Sequence, residues 1–405
     1  MNSRVLILGA GLYQVPLIRK ARDKGYHVTV TTRKGDYPGL AFADEAWFVD
    51  TLDHEELLRL SRANNIEAVL TTGTDVAIPS LGYLCDQLGL PGITYETAQL
   101  CSNKILAQQR FAEHGVPAAK HQRVASLDEA RKAMSSIGLP VIIKAPDSSG
   151  SRGVVAVTQD GELASAFEQA MAVSNLGEVL VEELLTGEEF GAQAIVSAGR
   201  VLHCLCHNDT VTPPPVSVPI GHSCPFKMND SVQREALEVT QQAVTALGID
   251  NAVCNVDLMA TDRGIRMLEI GARIGATGIP EITQRHFGID LYELALQIAF
   301  GHLPQVEVRP GPVSAILIIR SPKTGVLTRC RIPGHLNDHP GIDAIHFDYP
   351  EGTVVNEFRT GPDRIGDIFV TGPTAADAEV FAEKVASELE IEVAAPAATY
   401  AQQKE

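Results

Sequence analysis

Apolar residues in the first hundred positions come in short runs separated by longer amphipathic stretches. The run at 4–8 (RVLIL) reads as a strand, Gly9-Ala10-Gly11 as a tight turn, and the stretch to about Lys24 as a helix. Further strands are expected at 27–32 and at 67–72, the latter leading into Gly73-Thr74-Asp75. Leu57, Leu58 and Leu60 mark the apolar face of a helix over 53–64. Strands alternating with helices imply a parallel sheet. Gly9-Ala10-Gly11 opens like a dinucleotide fingerprint, but Gln14 stands where its third glycine belongs. The second strand also ends Thr31-Thr32-Arg33, with no ribose-binding acid, so NAD is disfavoured. Both glycine turns remain candidates to line a substrate pocket at the C-terminal ends of the strands.

Beyond residue 100 the pattern changes. Ser102 can cap a helix that carries Lys104 and ends near Gly115. PVIIKA at 140–145 is a buried-type strand with Lys144 near its end, and such a lysine needs an anionic partner or a route to water. Small residues follow: Ser148, Ser149, Gly150, Ser151, Arg152, Gly153. Their N–H and hydroxyl groups can cradle phosphate oxygens, although the spacing is not that of a Walker A loop. EVLVEELL at 178–185 is another strand, leading into an acidic turn at 186–189. Residues 190–197 and 200–207 read as a hairpin across Ala198-Gly199. Residues 208–230, rich in proline, read as a long loop containing Gly221-His222-Ser223. A helix over 232–247 stops at Gly248, and another spans 291–300. After residue 304, a strand at 312–320 and a strand–helix–strand ending (367–371, 375–388, 391–393) suggest a smaller α+β segment that covers the site or mediates dimerisation. A frayed end is expected at 401–405.

The most informative stretch is 253–275, VCNVDLMATDRGIRMLEIGARIG. It reads as two strands, 253–260 and 265–270, joined by a turn in which Gly264 takes a positive φ. A three-residue loop centred on Arg263 would set Asp257 opposite Glu269. Alternation would then gather Asn255, Asp257, Glu269 and Arg273 on one face. Two facing carboxylates repel each other and lose hydration, and a shared divalent cation with a preference for oxygen ligands would relieve both. A solvated sheet face with two coincidental acids is the plainer alternative. Gly275-Ala276-Thr277-Gly278 leads into a helix, where it is either a capping turn or an anion site.

The chain is 405 residues long with a formal charge of −17. That length implies more than one core, and the acidic balance argues against nucleic-acid and anionic-membrane partners. The N-terminal MNSRVLILGAG lacks a signal-peptide pattern and no apolar run is long enough to span a bilayer, so a cytoplasmic enzyme is expected. Seven scattered cysteines suggest reduced thiols. In His203-Cys204-Leu205-Cys206-His207, strand alternation sends the histidines one way and the cysteines the other, so one metal would not collect all four.

The order of these pieces carries a resemblance. Lys104, Lys144 in VIIKA, the small-residue loop, VEELL, Asp257, and LEIGAR with Glu269 and Arg273 together resemble the ATP-grasp superfamily over nearly the whole chain. The resemblance implies a mixed α/β and α+β fold. It places a Rossmann-like (pre-ATP-grasp) domain at 1–100, an ATP-grasp domain at 101–303 and a C-terminal α+β domain at 304–405. The ATP-grasp domain would comprise a lid at about 115–185 and a second subdomain at about 186–303. It also implies ATP and Mg2+ (or Mn2+) as cofactors, with Lys104 and Lys144 on the phosphates and Ser148, Ser149, Gly150, Ser151 and Gly153 in the closing loop. Glu182, Glu183 and Leu185 would form the adenine hinge, Glu189 would hold the ribose, Asp257 and Glu269 the metal, and Arg273 the transferring phosphoryl group. The usual Glu-x-Asn-x-Arg pattern is broken by Gly271. Water, a backbone carbonyl or Asn255 could substitute, or a single metal could bind tightly.

Within the superfamily the chain is most similar to carboxylate–amine ligases of the L-amino-acid ligase branch, on Gly11-Leu12-Tyr13-Gln14, Gly221-His222-Ser223 and the C-terminal extension. Some of those ligases carry a glutamate three residues before the histidine; here Pro219 stands there. The absence of a biotinyl segment and of Met-Lys-Met disfavours self-biotinylated carboxylase chemistry. The resemblance implies an enzyme that joins a small-molecule carboxylate to an amine through an acyl phosphate, with His222 a candidate substrate contact or base; a homodimer is the default expectation for a chain of this size. Alternatives are a purine-pathway-type ligase acting on a phosphoribosyl amine, an ATP-grasp phosphotransferase, and a non-catalytic nucleotide-binding module.

Overall fold

A computed structural model describes residues 2–148, 152–212 and 218–395. Ser149, Gly150 and Ser151 of the expected phosphate loop, Pro213-Pro214-Pro215 and the terminal AQQKE lie outside the described residues. The chain forms two compact units. The first comprises Met1–Cys206, Met228–Ala276 and Asp290–Val306; the second comprises His207–Lys227, Thr277–Ile289 and Glu307–Glu405.

The first unit opens with a parallel sheet of four strands: β1 (Arg4–Leu8), β2 (His27–Thr31), β3 (Glu45–Trp47) and β4 (Ala68–Leu70), in the order β3-β2-β1-β4. The strands are short and apolar because helices cover them: Val15–Asp23 buries Leu17, Ile18 and Ala21, and His54–Ala63 buries Leu57 and Leu58. A side chain closes the glycine turn after β1. The Gln14 side chain accepts from the Gly11 amide (2.9 Å) and donates to the Thr72 carbonyl (2.5 Å). It therefore occupies the donor that a pyrophosphate would need at this turn.

A second sheet contains β5 (His121–Val124), β6 (Val141–Lys144), β7 (Val154–Val157) and β8 (Val179–Glu183), all antiparallel in the order β5-β8-β6-β7. Helices Leu127–Ile137 and Leu163–Val173 cover one face, over Val141, Ile143, Val157 and Val181. Alternation along β6 buries Val141 and Ile143 and turns Ile142 and Lys144 to the opposite, less buried side.

Next in the chain come β9 (Glu188–Ser197) and β10 (Arg200–Val211), the expected hairpin, with Ala198 and Gly199 both at positive φ. The chain passes into the second unit within β10. The region expected to be a long loop is partly strand: β10 continues to Val211, and β11 (Pro219–Cys224) pairs with it through Asp209 and His222. Proline is tolerated here because Pro219 is the first residue of its strand. Back in the first unit, β12 (Ala252–Thr261) pairs with β9 and with β13 (Gly264–Gly271). Asp257 does face Glu269, but by a different route from the one expected. The turn has two residues, Asp262 and Arg263, between paired Thr261 and Gly264, and a bulge between Asp257 and Leu258 restores the register.

In the second unit, β11 pairs with β14 (Ser314–Arg320), which pairs with β18 (Arg364–Thr371), itself paired with β16 (Ile342–Phe347). A three-stranded sheet is formed by β15 (Gly325–Arg331), flanked by β17 (Val354–Val355) and β19 (Glu390–Ala394). Helix Ala375–Glu388 contributes Ala378, Ala382 and Val385 to a core with Ile318, Ile365, Ile368 and Val370. The turn before helix Ile279–Phe287 is a packing feature: a Cβ on Gly278 would lie 1.8 Å from Ile316 Cδ1. All seven cysteines are free, and among the described residues no helix is long and apolar enough to cross a membrane.

Helix Lys104–His114 is capped by Asn103, not by the expected Ser102. Asn103 Oδ1 accepts from the amides of Ile105 and Leu106, whereas Ser102 closes the preceding helix, donating to the Ala98 carbonyl. Asn103→Ala should therefore lower stability by about 1 kcal/mol in urea unfolding, and Ser102→Ala by less.

Candidate functional site

The first unit holds the acidic hairpin. β9 pairs with β12 so that Gly191, which has no side chain, lies opposite Asp257 and Gln193 opposite Asn255. A relay then fixes the carboxylate. The Gly275 amide donates to Gln193 Oε1 (2.9 Å), Gln193 Nε2 donates to Asn255 Oδ1 (2.7 Å), and Asn255 Nδ2 donates to Asp257 Oδ1 (3.1 Å). Each amide has one orientation that satisfies both neighbours.

Glu269 meets Lys104. The Lys104 ammonium donates to Glu269 Oε1 at 2.9 Å and to the Ser148 carbonyl at 2.7 Å. Burial alone would favour the neutral amine, but Glu269 outweighs it and raises the Lys104 pKa. Lys144 pairs with Glu182 at 2.5 Å, deep in the sheet; the Glu182 side chain is 3 % exposed. Glu183 is held by Arg263 of the hairpin turn at 2.6 Å. The amides of Glu183 and Leu184 donate to the carbonyls of Lys120 and Pro140. Of the expected hinge, Leu185 is therefore the residue beyond the backbone amides that serve the sheet. Glu189 lies on β9 opposite Met259, within the strand rather than in a turn. Of the expected phosphate loop, Ser148 and Gly153 are described. Ser148 Oγ is buried without a hydrogen-bond partner among the described residues. Gly153 has φ +67°, and a Cβ there would lie 2.9 Å from that of Ala145.

Arg273 is clasped by Asp75. Its Nε and Nη2 donate to Asp75 Oδ1 and Oδ2 at 2.8 and 2.9 Å, a two-pronged ion pair. Burial would push the Asp75 carboxyl up, but Arg273 outweighs it and the pKa falls. The loop carrying Asp75 is stitched to the strand end by a Thr72–Ile274 bridge and a bond from the Gly73 amide to the Ile274 carbonyl. Asp75, Asp257 and Glu269 thus share one unit with Lys104 and Arg273. Sequence reasoning named Gly73-Thr74-Asp75 only as a pocket lining and missed Gln193. The available signal for Gln193 was an amide in the otherwise apolar run FGAQAIV.

The second unit holds His222, on a strand and buried. Asp209 Oδ1 accepts from Nδ1 of both His222 (2.6 Å) and His207 (2.8 Å). Among the described residues this is a group of ligand-type side chains near enough to share a metal, all within 4.8 Å. Its separations are those of hydrogen bonds. The shared oxygen fixes the Nδ1–H tautomer on both rings, and each Nε2 is buried without a hydrogen-bond partner. Burial alone would raise Asp209, but the two imidazoles outweigh it and hold the carboxyl well below the usual range. Burial lowers the His222 pKa and keeps that ring neutral, against the pull of Asp209.

Residues 103–306 match the family model described as the carbamoyl-phosphate synthase L chain ATP-binding domain. Residues 317–394 match the L-amino acid ligase C-terminal domain 2. The L-arginine-specific L-amino acid ligase of Bacillus subtilis is 23% identical over 349 residues, covering 84% of each chain. Among solved structures, phosphoribosylglycinamide synthetase from Anaerococcus prevotii is 27% identical with a TM-score of 0.81, covering 97% of this chain and 100% of that one. The L-amino acid ligase from Bacillus licheniformis is 20% identical with a TM-score of 0.83, covering 97% and 99%.

His222 gives a pH prediction. Its pKa in the fold lies below the ordinary 6.5, so the unfolded chain binds the proton more readily. The resulting stability is complete above about pH 6.5 and is lost as the pH falls towards the folded pKa. The thermal midpoint of the protein should therefore fall less steeply between about pH 6.5 and pH 5 in His222→Gln than in the parent.

Proposed function

We propose that this chain, which belongs to the ATP-grasp carboxylate–amine ligase family, uses ATP to activate a small-molecule carboxylate and joins it to an amine. The observation that carries the reading is Asp257 facing Glu269 across the β12–β13 ladder, with Lys104 and Arg273 in the same unit. Opposed acids backed by two half-buried cations suit a polyphosphate and its metal better than a bare solvated surface.

A divalent cation fits this donor set. Glu269 already draws a cationic group to 2.9 Å, and Asn255 orients Asp257 towards a fixed position. Asp257 and Glu269 would hold Mg2+, whose chemistry there is to offset phosphate charge. The protein groups do the rest. Lys104 and Lys144 bind phosphate oxygens, Leu185 reads the adenine edge by its backbone, and Glu189 holds the ribose. The substrate carboxylate attacks the γ-phosphorus and ADP leaves. Lys104 and Arg273 stabilise the charge that spreads over the transferring group. Exclusion of water from the site protects the resulting acyl phosphate. The amine then attacks the acyl carbon, phosphate departs, and the amine's proton goes to a base. Within its own unit His222 has the chemistry of a base: Nδ1 is bound to Asp209, and Nε2 is left as the basic nitrogen.

The match to the L-amino acid ligase C-terminal domain 2 favours an amino-acid carboxylate. A second reading, a phosphoribosyl amine substrate, is favoured by the likeness to the Anaerococcus prevotii synthetase. A matrix of amino acids, phosphoribosylamine and simple carboxylates, assayed for ADP release with mass spectrometry of the products, separates them. Amides of amino acids are expected. ADP release only with the phosphoribosyl amine would select the second reading, and none with any pair would exclude both. Glu269→Gln should abolish ADP release in a folded protein, and full turnover would remove the metal assignment. Lys144→Ala should weaken ATP binding in calorimetry at least tenfold, and unchanged affinity would count against its phosphate role.

A further inference from the structure

Gly271 stands between Glu269 and Arg273 at the end of β13, and its backbone does not call for a glycine. Its φ lies outside the left-handed region that only glycine adopts easily. What calls for glycine is a neighbour. A Cβ at residue 271 would lie 3.0 Å from Asp75 Oδ1 and 3.7 Å from the Arg273 guanidinium carbon. The Asp75 oxygen cannot simply move aside. It accepts from Arg273 Nε at 2.8 Å, while Oδ2 of the same carboxylate accepts from Nη2 at 2.9 Å. Its loop is tied down as well, by the Thr72–Ile274 bridge and the bond from the Gly73 amide. A side chain at 271 and the Asp75–Arg273 pair therefore compete for one volume.

We propose that Gly271 and Asp75 work as one unit. The missing side chain at 271 admits the Asp75 carboxylate, and that carboxylate sets where the Arg273 guanidinium stands for phosphoryl transfer. Asp75 is a positioning residue that acts through Arg273. Its two-point contact fixes both the position and the plane of the guanidinium, which a single hydrogen bond would not do. The N-terminal parallel sheet thereby contributes to the phosphoryl-transfer centre, although Asp75 and Arg273 are 198 positions apart in the chain. The role given to Arg273 rests on the ligase reading; the competition for space does not.

The test is a double-mutant cycle on the full chain with Asp75→Asn, Gly271→Ala and the double variant. Three quantities are measured: the urea unfolding equilibrium, the affinity for Mg·ADP by calorimetry, and kcat and KM for ATP with a carboxylate–amine pair that the parent turns over. Each single variant should lower kcat at least thirtyfold while KM for ATP and the Mg·ADP affinity stay within threefold. The two substitutions should be non-multiplicative by at least threefold in both kcat and the unfolding equilibrium, because each disturbs the same contact. Independent, multiplicative effects would overturn the proposal. So would a loss of Mg·ADP affinity as large as the loss of kcat, or ADP release without substrate that rises in Asp75→Asn, which would make the pair a restraint. Coupled unfolding effects in a protein that turns over no pair would overturn the ligase reading and leave the spatial competition supported.

Discussion

The arrangement depends on placing like charges together and then compensating them. Asp257 and Glu269 face each other across a sheet whose neighbouring positions are apolar and buried, and Asp75 adds a third carboxylate. Such a cluster is stable only if cations and hydrogen-bond donors meet it. The fold supplies them from far along the chain: Lys104 from a helix start, Arg273 from a strand end, and the Asn255–Gln193 relay from the next two strands. Breaking one member would leave a half-buried charge without its partner. On the proposed ligase reading, the donors and charges of this cluster are fixed before a phosphate arrives.

The β9–β12–β13 ladder shows what kind of information a sequence carries. Period-two alternation reported which residues share a face, and Gly264 reported the turn, so the pairing of Asp257 with Glu269 was legible. The route to it was not, because a two-residue turn plus a bulge gives the same register as a longer turn without one. The parallel N-terminal sheet, the helix over 375–388 and the hairpin at Ala198-Gly199 were likewise legible from local pattern. The strand at Pro219–Cys224 was hidden by its prolines, since a proline at a strand's first residue looks locally like a loop residue.

The contacts that complete the candidate site were less visible. Glu269 finds Lys104 from 165 positions away, and nothing in either local sequence specifies that meeting. Gln193 reads as a polar interruption of a strand until β12 sets Asn255 opposite it. Gly271 reads as a loss until Asp75 is seen beside it. His222 was named from the sequence as a candidate, but Asp209, which faces it across the β10–β11 ladder and fixes its tautomer, was not. In each case a side chain becomes interpretable only through a partner brought by tertiary structure.

The central claim is that phosphoryl transfer to a carboxylate oxygen precedes carbon–nitrogen bond formation. The most direct measurement follows an oxygen atom. A substrate acid labelled with 18O in its carboxylate is turned over with ATP and the amine, and the released inorganic phosphate is examined by 31P NMR. An acyl phosphate requires that one carboxylate oxygen leave with phosphorus, so each phosphate formed should carry one 18O. Unlabelled phosphate alongside amide product would contradict the account, because the carboxylate would then not have been activated through its own oxygen.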